Sequence, residues 1–186
     1  NEICPNFGYE FDPNDGNYGY GKYTCSNGHK HDVKETLQRE DKKPEFDHFA
    51  IQYLDLRGHK RIKEFDETDA EKVKNAEERL EELKDDLPIP TQQIPDGDKT
   101  GALLNYNYER FDQLYTKRHL LTFGLLFKRA SEVKKKEFDD ANARNISEFL
   151  LTALSDCLRF HSKLVKWQAS QNKANHVFTR HAFIPR

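Results

Sequence analysis

The sequence predicts an α+β fold: a small β-rich N-terminal portion that includes a hairpin, followed by a mainly helical portion with an antiparallel helix pair. Three observations predict it. Residues 1–35 are punctuated by Pro5, Gly8, Pro13, Gly16, Gly19, Gly21 and Gly28, a density of turn formers that suits short strands and knuckles better than helix. The stretch from Phe46 to Phe65 is apolar and β-prone, with His48-Phe49-Ala50-Ile51-Gln52-Tyr53-Leu54 turning near Gly58 into Lys60–Phe65. Beyond it, apolar residues return every three or four positions, the period of an amphipathic helix.

In order along the chain, Thr68-x-x-Glu71 reads as a capping box, and Val73, Ala76, Leu80, Leu83 and Leu87 line one side of a helix of about five turns. Its other side, with Glu77, Glu78, Glu81, Glu82, Asp85 and Asp86, is a solvated acidic face. Leu87-Pro88-Ile89-Pro90 stops it, and Pro88, Pro90, Pro95, Gly97 and Gly101 keep the following segment extended, because proline withholds its donor and restricts its neighbour. Phe111, Leu114 and Tyr115 fit a short helical piece. Leu120, Leu121, Leu125, Phe127 and Val133 fit a longer one capped by Thr116. A last long helix is expected from about Ile146 through Phe149, Leu150, Ala153, Leu154, Cys157, Leu158 and His161 to Val165, with Cys157 in the core. The expected divisions are 1–66 (β-rich, ribbon-like), 67–100 (acidic helix and Pro-rich linker) and 101–186 (basic, helical).

Hydrophobic residues make up only 35 % of the 186, so the core is lean. No apolar run reaches the roughly 20 residues that cross a bilayer, and no signal-peptide series opens the chain. Three cysteines, Cys4, Cys25 and Cys157, do not make a disulfide framework and suit a reducing compartment, which points to the cytoplasm and to no membrane partner. Methionine is absent even at position 1, as expected of a segment cut from a longer protein.

Charge is unevenly spread. Residues 1–100 carry 15 Lys/Arg against 24 Asp/Glu, and residues 101–186 carry 15 against 8, so a net charge of -2 conceals an acidic half and a basic half. From Cys157 to Arg186 there are six Lys/Arg, three His and four aromatics and no carboxylate at all. A positive field left unneutralised beside stacking faces suits nucleic acid. The same skew also fits two halves that face each other. The cations expected to meet phosphate are Lys117 and Arg118 at a helix start, Arg159, Lys163 and Lys166 on one face of the last helix, and Lys173, Arg180 and His181 beyond it. Trp167 offers a ring for base stacking, or else closes the helical core.

Cys4-Pro5-Asn6-Phe7-Gly8 and Cys25-Ser26-Asn27-Gly28-His29 look like the two knuckles of a zinc ribbon whose second cysteines are replaced by Phe7 and Gly28. Cys4, Cys25, His29 and His31 together supply four donors for zinc; the alternative is a metal-free relic hairpin. No nucleotide-binding glycine loop, zinc-protease pair or nucleophile elbow occurs, and His161 reads as a hydrogen-bonded core residue, not a catalyst.

The order of these pieces resembles one family. The Cys4/Cys25 pair, Phe49-Ala50-Ile51-Gln52-Tyr53 with its turn at Gly58, Leu87-Pro88-Ile89-Pro90, Phe111-Asp112-Gln113-Leu114-Tyr115-Thr116-Lys117-Arg118-His119-Leu120-Leu121, Ser162-Lys163-Leu164-Val165-Lys166-Trp167 and Phe178-Thr179-Arg180-His181-Ala182 look like the central region of large bacterial adenine-specific DNA methylases that contain a zinc ribbon. The resemblance implies a parent that uses S-adenosylmethionine, held by a glycine loop upstream, and an Asp/Asn-Pro-Pro-Tyr tetrapeptide downstream. Neither motif is present here. It implies an insert that contacts DNA and the remaining domains of its parent, with no cofactor of its own besides zinc.

Overall fold

The computed structural model describes residues 2–3, 10–11, 17–19, 21–25, 27–48, 50–98, 100–133, 140–165, 167–171 and 173–175. Strands β1 (Glu2–Ile3) and β2 (Glu10–Phe11) pair antiparallel, and β3 (Asn17–Gly19), β4 (Lys22–Thr24) and β5 (Lys30–Asp32) form a three-stranded meander. Helix α1 (Val33–Glu40) follows at once, an element absent from the turn-rich expectation for this region. Its start is local chemistry: the Asp32 carboxylate accepts from the backbone N–H of Lys34 at 2.9 Å and of Glu35 at 3.4 Å.

The expected hairpin is present as β6 (Ala50–Leu54) and β7 (Lys60–Glu64), and Gly58 sits at its turn with φ +80°, a conformation that favours glycine. Helix α2 (Glu67–Leu83) buries Leu80 and turns Val73, Ala76 and Leu83 partly inward, as the period predicted. Its capping box is not Thr68/Glu71. Asp66 is the N-cap and Asp69 its reciprocal partner, because Lys63 on β7 binds both carboxylates and fixes that start.

A 3-10 turn (Lys84–Asp86) leads to buried Leu87, and the Pro-rich segment runs on to α3 (Gly101–Leu104) with an antiparallel bridge between Gln93 and Arg110. After a second 3-10 turn (Phe111–Leu114) come α4 (Lys117–Ser131) and α5 (Asp140–Leu158), then the two-residue strands β8 (Trp167–Gln168) and β9 (Lys173–Ala174). Thr116 caps α4 as expected, its hydroxyl accepting from His119 N–H at 3.2 Å.

Helices α4 and α5 are antiparallel: Ser147 Oγ donates to the Ala130 carbonyl (2.8 Å) near one end, and the His119 and His161 rings meet at 5.4 Å near the other. Two expectations are corrected here. Helix α5 ends at Leu158, not near Val165, so Arg159 and Lys163 do not share a helical face. Cys157 is exposed, as are Phe149 (74 %) and Leu150 (38 %). The expected Ile146, Leu154 and Leu158 do turn partly inward, and the stripe is completed by Leu151, Ser147 and buried Ala143, where small residues at the N-terminal end permit close approach to α4.

The chain forms two compact units. The first takes in Asn1–Pro44 and Gln92–Phe111; the second takes in Glu45–Thr91 and Asp112–Val177. In the first, Cys25, Ile94, Tyr106 and Tyr108 are buried, and Asn107 (φ +60°) holds the C-terminal end of α1 by donating from Nδ2 to the Leu37 carbonyl at 3.0 Å and the Lys42 carbonyl at 2.7 Å. In the second, α4 packs against both α2 and α5 around Leu80, Leu87, Leu114 and Phe123. Gly124 lets the Leu87–Ile89 strap lie on α4: a Cβ there would stand 3.2 Å from Leu87 and Ile89 atoms. Beside it is an apolar cavity of about 220 Å³ lined by Ile89, Tyr115, His119, Phe123 and Phe127 among others. Among the described residues no helix is long and apolar enough to cross a membrane.

Candidate metal centre and nucleic-acid interface

Strand β4 delivers Cys25 to a tight turn. Gly28 N–H donates to the Cys25 carbonyl (2.8 Å) and Cys25 N–H to the His29 carbonyl (3.0 Å), with Gly28 at φ +80°. The position where a ribbon knuckle would carry its second cysteine is thus spent on the turn, and His29 follows directly. Antiparallel register sets His31 on β5 opposite Tyr23 on β4, their rings stacked at 4.9 Å.

Cys25 (3 % exposed), His29 and His31 (8 % exposed) bring one sulfur and two imidazoles within 4.8 Å of one another. These three can hold a metal ion. Bond lengths of about 2.3 Å to sulfur and about 2.0 Å to nitrogen imply a tetrahedral S···N edge of roughly 3.5 Å. Cys25 Sγ and His29 Nδ1 are separated by 3.5 Å. A thiolate with imidazoles is a soft, borderline donor set, ill-suited to calcium or magnesium. Cys4, the fourth expected donor, lies outside the described residues.

The expected phosphate-binding cations are differently placed. Lys117 and Arg118 open α4, both exposed. Lys117 stands 4.0 Å from Glu77 and from Glu81 of α2, whereas Arg118 has no carboxylate partner among the described residues. Arg159 pairs with Asp156 (3.0 Å) and lies over the Phe160 ring. Lys163 is drawn back to the segment before α4: its N–H donates to the Leu114 carbonyl (2.8 Å), its Nζ to the Gln113 carbonyl (3.1 Å), and Ser162 Oγ also donates to Leu114 (3.2 Å). This docking, invisible to local pattern, is what ends α5 early. Lys173 is exposed on β9. Trp167 opens β8, while Lys166, Arg180 and His181 lie outside the described residues.

His161 is exposed, not a core residue; its Nδ1 donates to the Cys157 carbonyl at 2.8 Å and its ring meets Phe123 at 5.2 Å. His119 is the perturbed group. Burial beside the apolar cavity, reinforced by Arg118 and then His161 and His48, pushes its pKa down to about 4. A histidine held neutral in the fold but titrating near 6.5 when unfolded stabilises fully above pH 6.5 and loses that contribution as pH falls toward 4. Allowing for partial exposure, the loss is roughly 1–2 kcal/mol. Urea unfolding at several pH values should show a flatter profile over this window in His119→Gln than in the wild type; parallel profiles would contradict it.

Comparison with family models, curated proteins and solved structures returned no match.

Proposed function

We propose that this chain is the central insert of an adenine-specific DNA methyltransferase, contributing DNA binding or target positioning with no methyl-transfer motif of its own. Zinc held by Cys25, His29 and His31, with Cys4 as fourth ligand, braces its N-terminal knuckle, and S-adenosylmethionine is bound elsewhere in the parent. The order of motifs described above supports the family. The observation that carries the DNA role is the docking of Ser162 and Lys163 onto Gln113–Leu114, which sets two cation-bearing segments, about fifty residues apart in sequence, side by side.

A base methylase must draw its target from the stack at a cost of a few kcal/mol, and cations on the flanking phosphates hold the distorted duplex. Arg118 and Lys173 are the best donors for this, since no carboxylate among the described residues is paired with either. Lys117 divides its charge between Glu77 and Glu81 and contributes less. Fluorescence anisotropy of the whole chain with duplex DNA at about 50 and about 200 mM salt tests the reading: Arg118→Ala and Lys173→Ala should each flatten the salt slope by about 0.9. No binding at the lower salt, or a preference for single-stranded RNA, would overturn it. A second reading, a protein-interaction module with a degenerate ribbon that docks on the rest of its parent, draws on exposed Leu125 and Leu126 of α4 and Phe149 and Leu150 of α5.

A further inference from the structure

The β6–β7 hairpin ends in an unusual apex. Turn tips are ordinarily built from glycine, asparagine and aspartate, yet here Leu56 stands at the tip and is fully exposed, with Leu54 (66 %) and Ile62 (58 %) exposed behind it. The tip is nonetheless rigidly made. Asp55 N–H donates to the His59 carbonyl and Gly58 N–H to the Asp55 carbonyl, both at 2.9 Å. Asp55 Oδ1 accepts from Arg57 N–H and His59 N–H, both at 2.9 Å, and its Oδ2 accepts from Arg61 Nε at 3.1 Å. The His59 backbone donor leads in holding the Asp55 carboxyl below its usual range.

The charge of Asp55 is therefore consumed inside the loop, and no other acid occurs from Leu56 to Lys63, a stretch holding Arg57, Lys60, Arg61 and Lys63. Arg57 is exposed, with no carboxylate partner among the described residues. At its root the hairpin is braced by Lys63, bound to Asp66 and Asp69 at the start of α2. Five-residue strands carry the tip about 17 Å from that anchor.

An apolar point, ringed by cations and preorganised on a braced two-stranded arm, matches the device by which proteins enter the minor groove and part a base step. We infer that the β6–β7 hairpin is a DNA wedge: Leu56 inserts between base pairs while Arg57 holds a flanking phosphate. The inference rests on the DNA-binding reading above and adds to it a residue that acts on the duplex itself.

The test uses the whole chain with a duplex bearing 2-aminopurine at its centre and a donor–acceptor pair at its ends. Wild-type binding should raise the 2-aminopurine fluorescence several-fold and shorten the end-to-end distance, the kink falling between about 20° and 90°. Leu56→Ala, which removes a side chain fully exposed in the free protein, should melt normally and bind within about threefold of wild type, yet leave the duplex stacked and straight. Arg57→Ala should weaken binding and flatten the salt slope by about 0.9. Unstacking and bending that persist in Leu56→Ala overturn the wedge while DNA binding stands. Binding that leaves wild-type DNA straight does the same, as does Leu56-dependent attachment to anionic vesicles without unstacking. Absence of any DNA binding by the wild type removes the wider reading and this one with it.

Discussion

Zinc added to the metal-free chain is expected to raise its melting temperature and to bind at one ion per chain. Cys25, His29 and His31 already stand within 4.8 Å of each other, so little reorganisation opposes binding, and the ion engages the folded knuckle far better than the unfolded chain. At free zinc a hundredfold above its Kd the gain is about 2.7 kcal/mol. Cys25→Ser or His31→Ala should abolish the zinc-induced shift, which is the proper comparison because both side chains are buried and their loss lowers the baseline as well. Cobalt substituted for zinc should give a thiolate charge-transfer band that disappears with Cys25. Cys4→Ser separates a four-ligand site from one completed by water, by weakening affinity in the first case only. Binding well short of one ion per chain, with melting unmoved by zinc, would leave the knuckle as the metal-free relic.

The second large effect is expected from Asp69→Ala. Asp69 is 5 % exposed, closes the capping box with Asp66, and pairs with Lys63 from β7 and, at 3.7 Å, with Lys72. Removing it uncaps the first turn of α2 and deprives Lys63 of one of its two carboxylates, so a loss of about 2–3 kcal/mol is expected in urea unfolding. Asp69→Asn retains an oxygen for the cap and should lose less. A change under about 0.5 kcal/mol for the alanine variant would mean that the hairpin and α2 stand without this link.

How much was legible follows from how local each signal is. Gly58 names its turn because a positive φ excludes most other residues, and Thr116 names a helix start because its cap closes within three residues. The leucines of α2 announce their own inward face. The same locality misplaced the α2 cap: Thr68/Glu71 fits the capping-box pattern and Asp66/Asp69, in the same short window, fits it less well, yet Lys63, on the preceding strand, decides for the second. The end of α5 was hidden for a similar reason, since apolar spacing continues to Val165 while the backbone is diverted by the carbonyls of Gln113 and Leu114. Helix α1 is two turns long and fully buries no residue, so the half-buried Val33 and Leu37 were its only apolar signal, although Asp32 and Glu35 carried its start. The donors Cys25, His29 and His31 were readable by type and spacing; that they converge required the register that sets His31 opposite Tyr23. Leu56 was overlooked because a leucine in a hairpin sequence reads as core, and only three dimensions show it facing water.

The clasp that Asn107 places on Leu37 and Lys42 joins positions 70 and 65 apart along the polypeptide. While the ribosome is still making this protein, the first helix has only its local cap, the Asp41 and Lys42 N–H groups on the Gln38 and Leu37 carbonyls, and its second fastening waits until the whole hairpin, the acidic helix and the proline-rich stretch have been synthesised. Ending the gene product anywhere between Pro44 and Asn107 would leave that helix with the local cap alone.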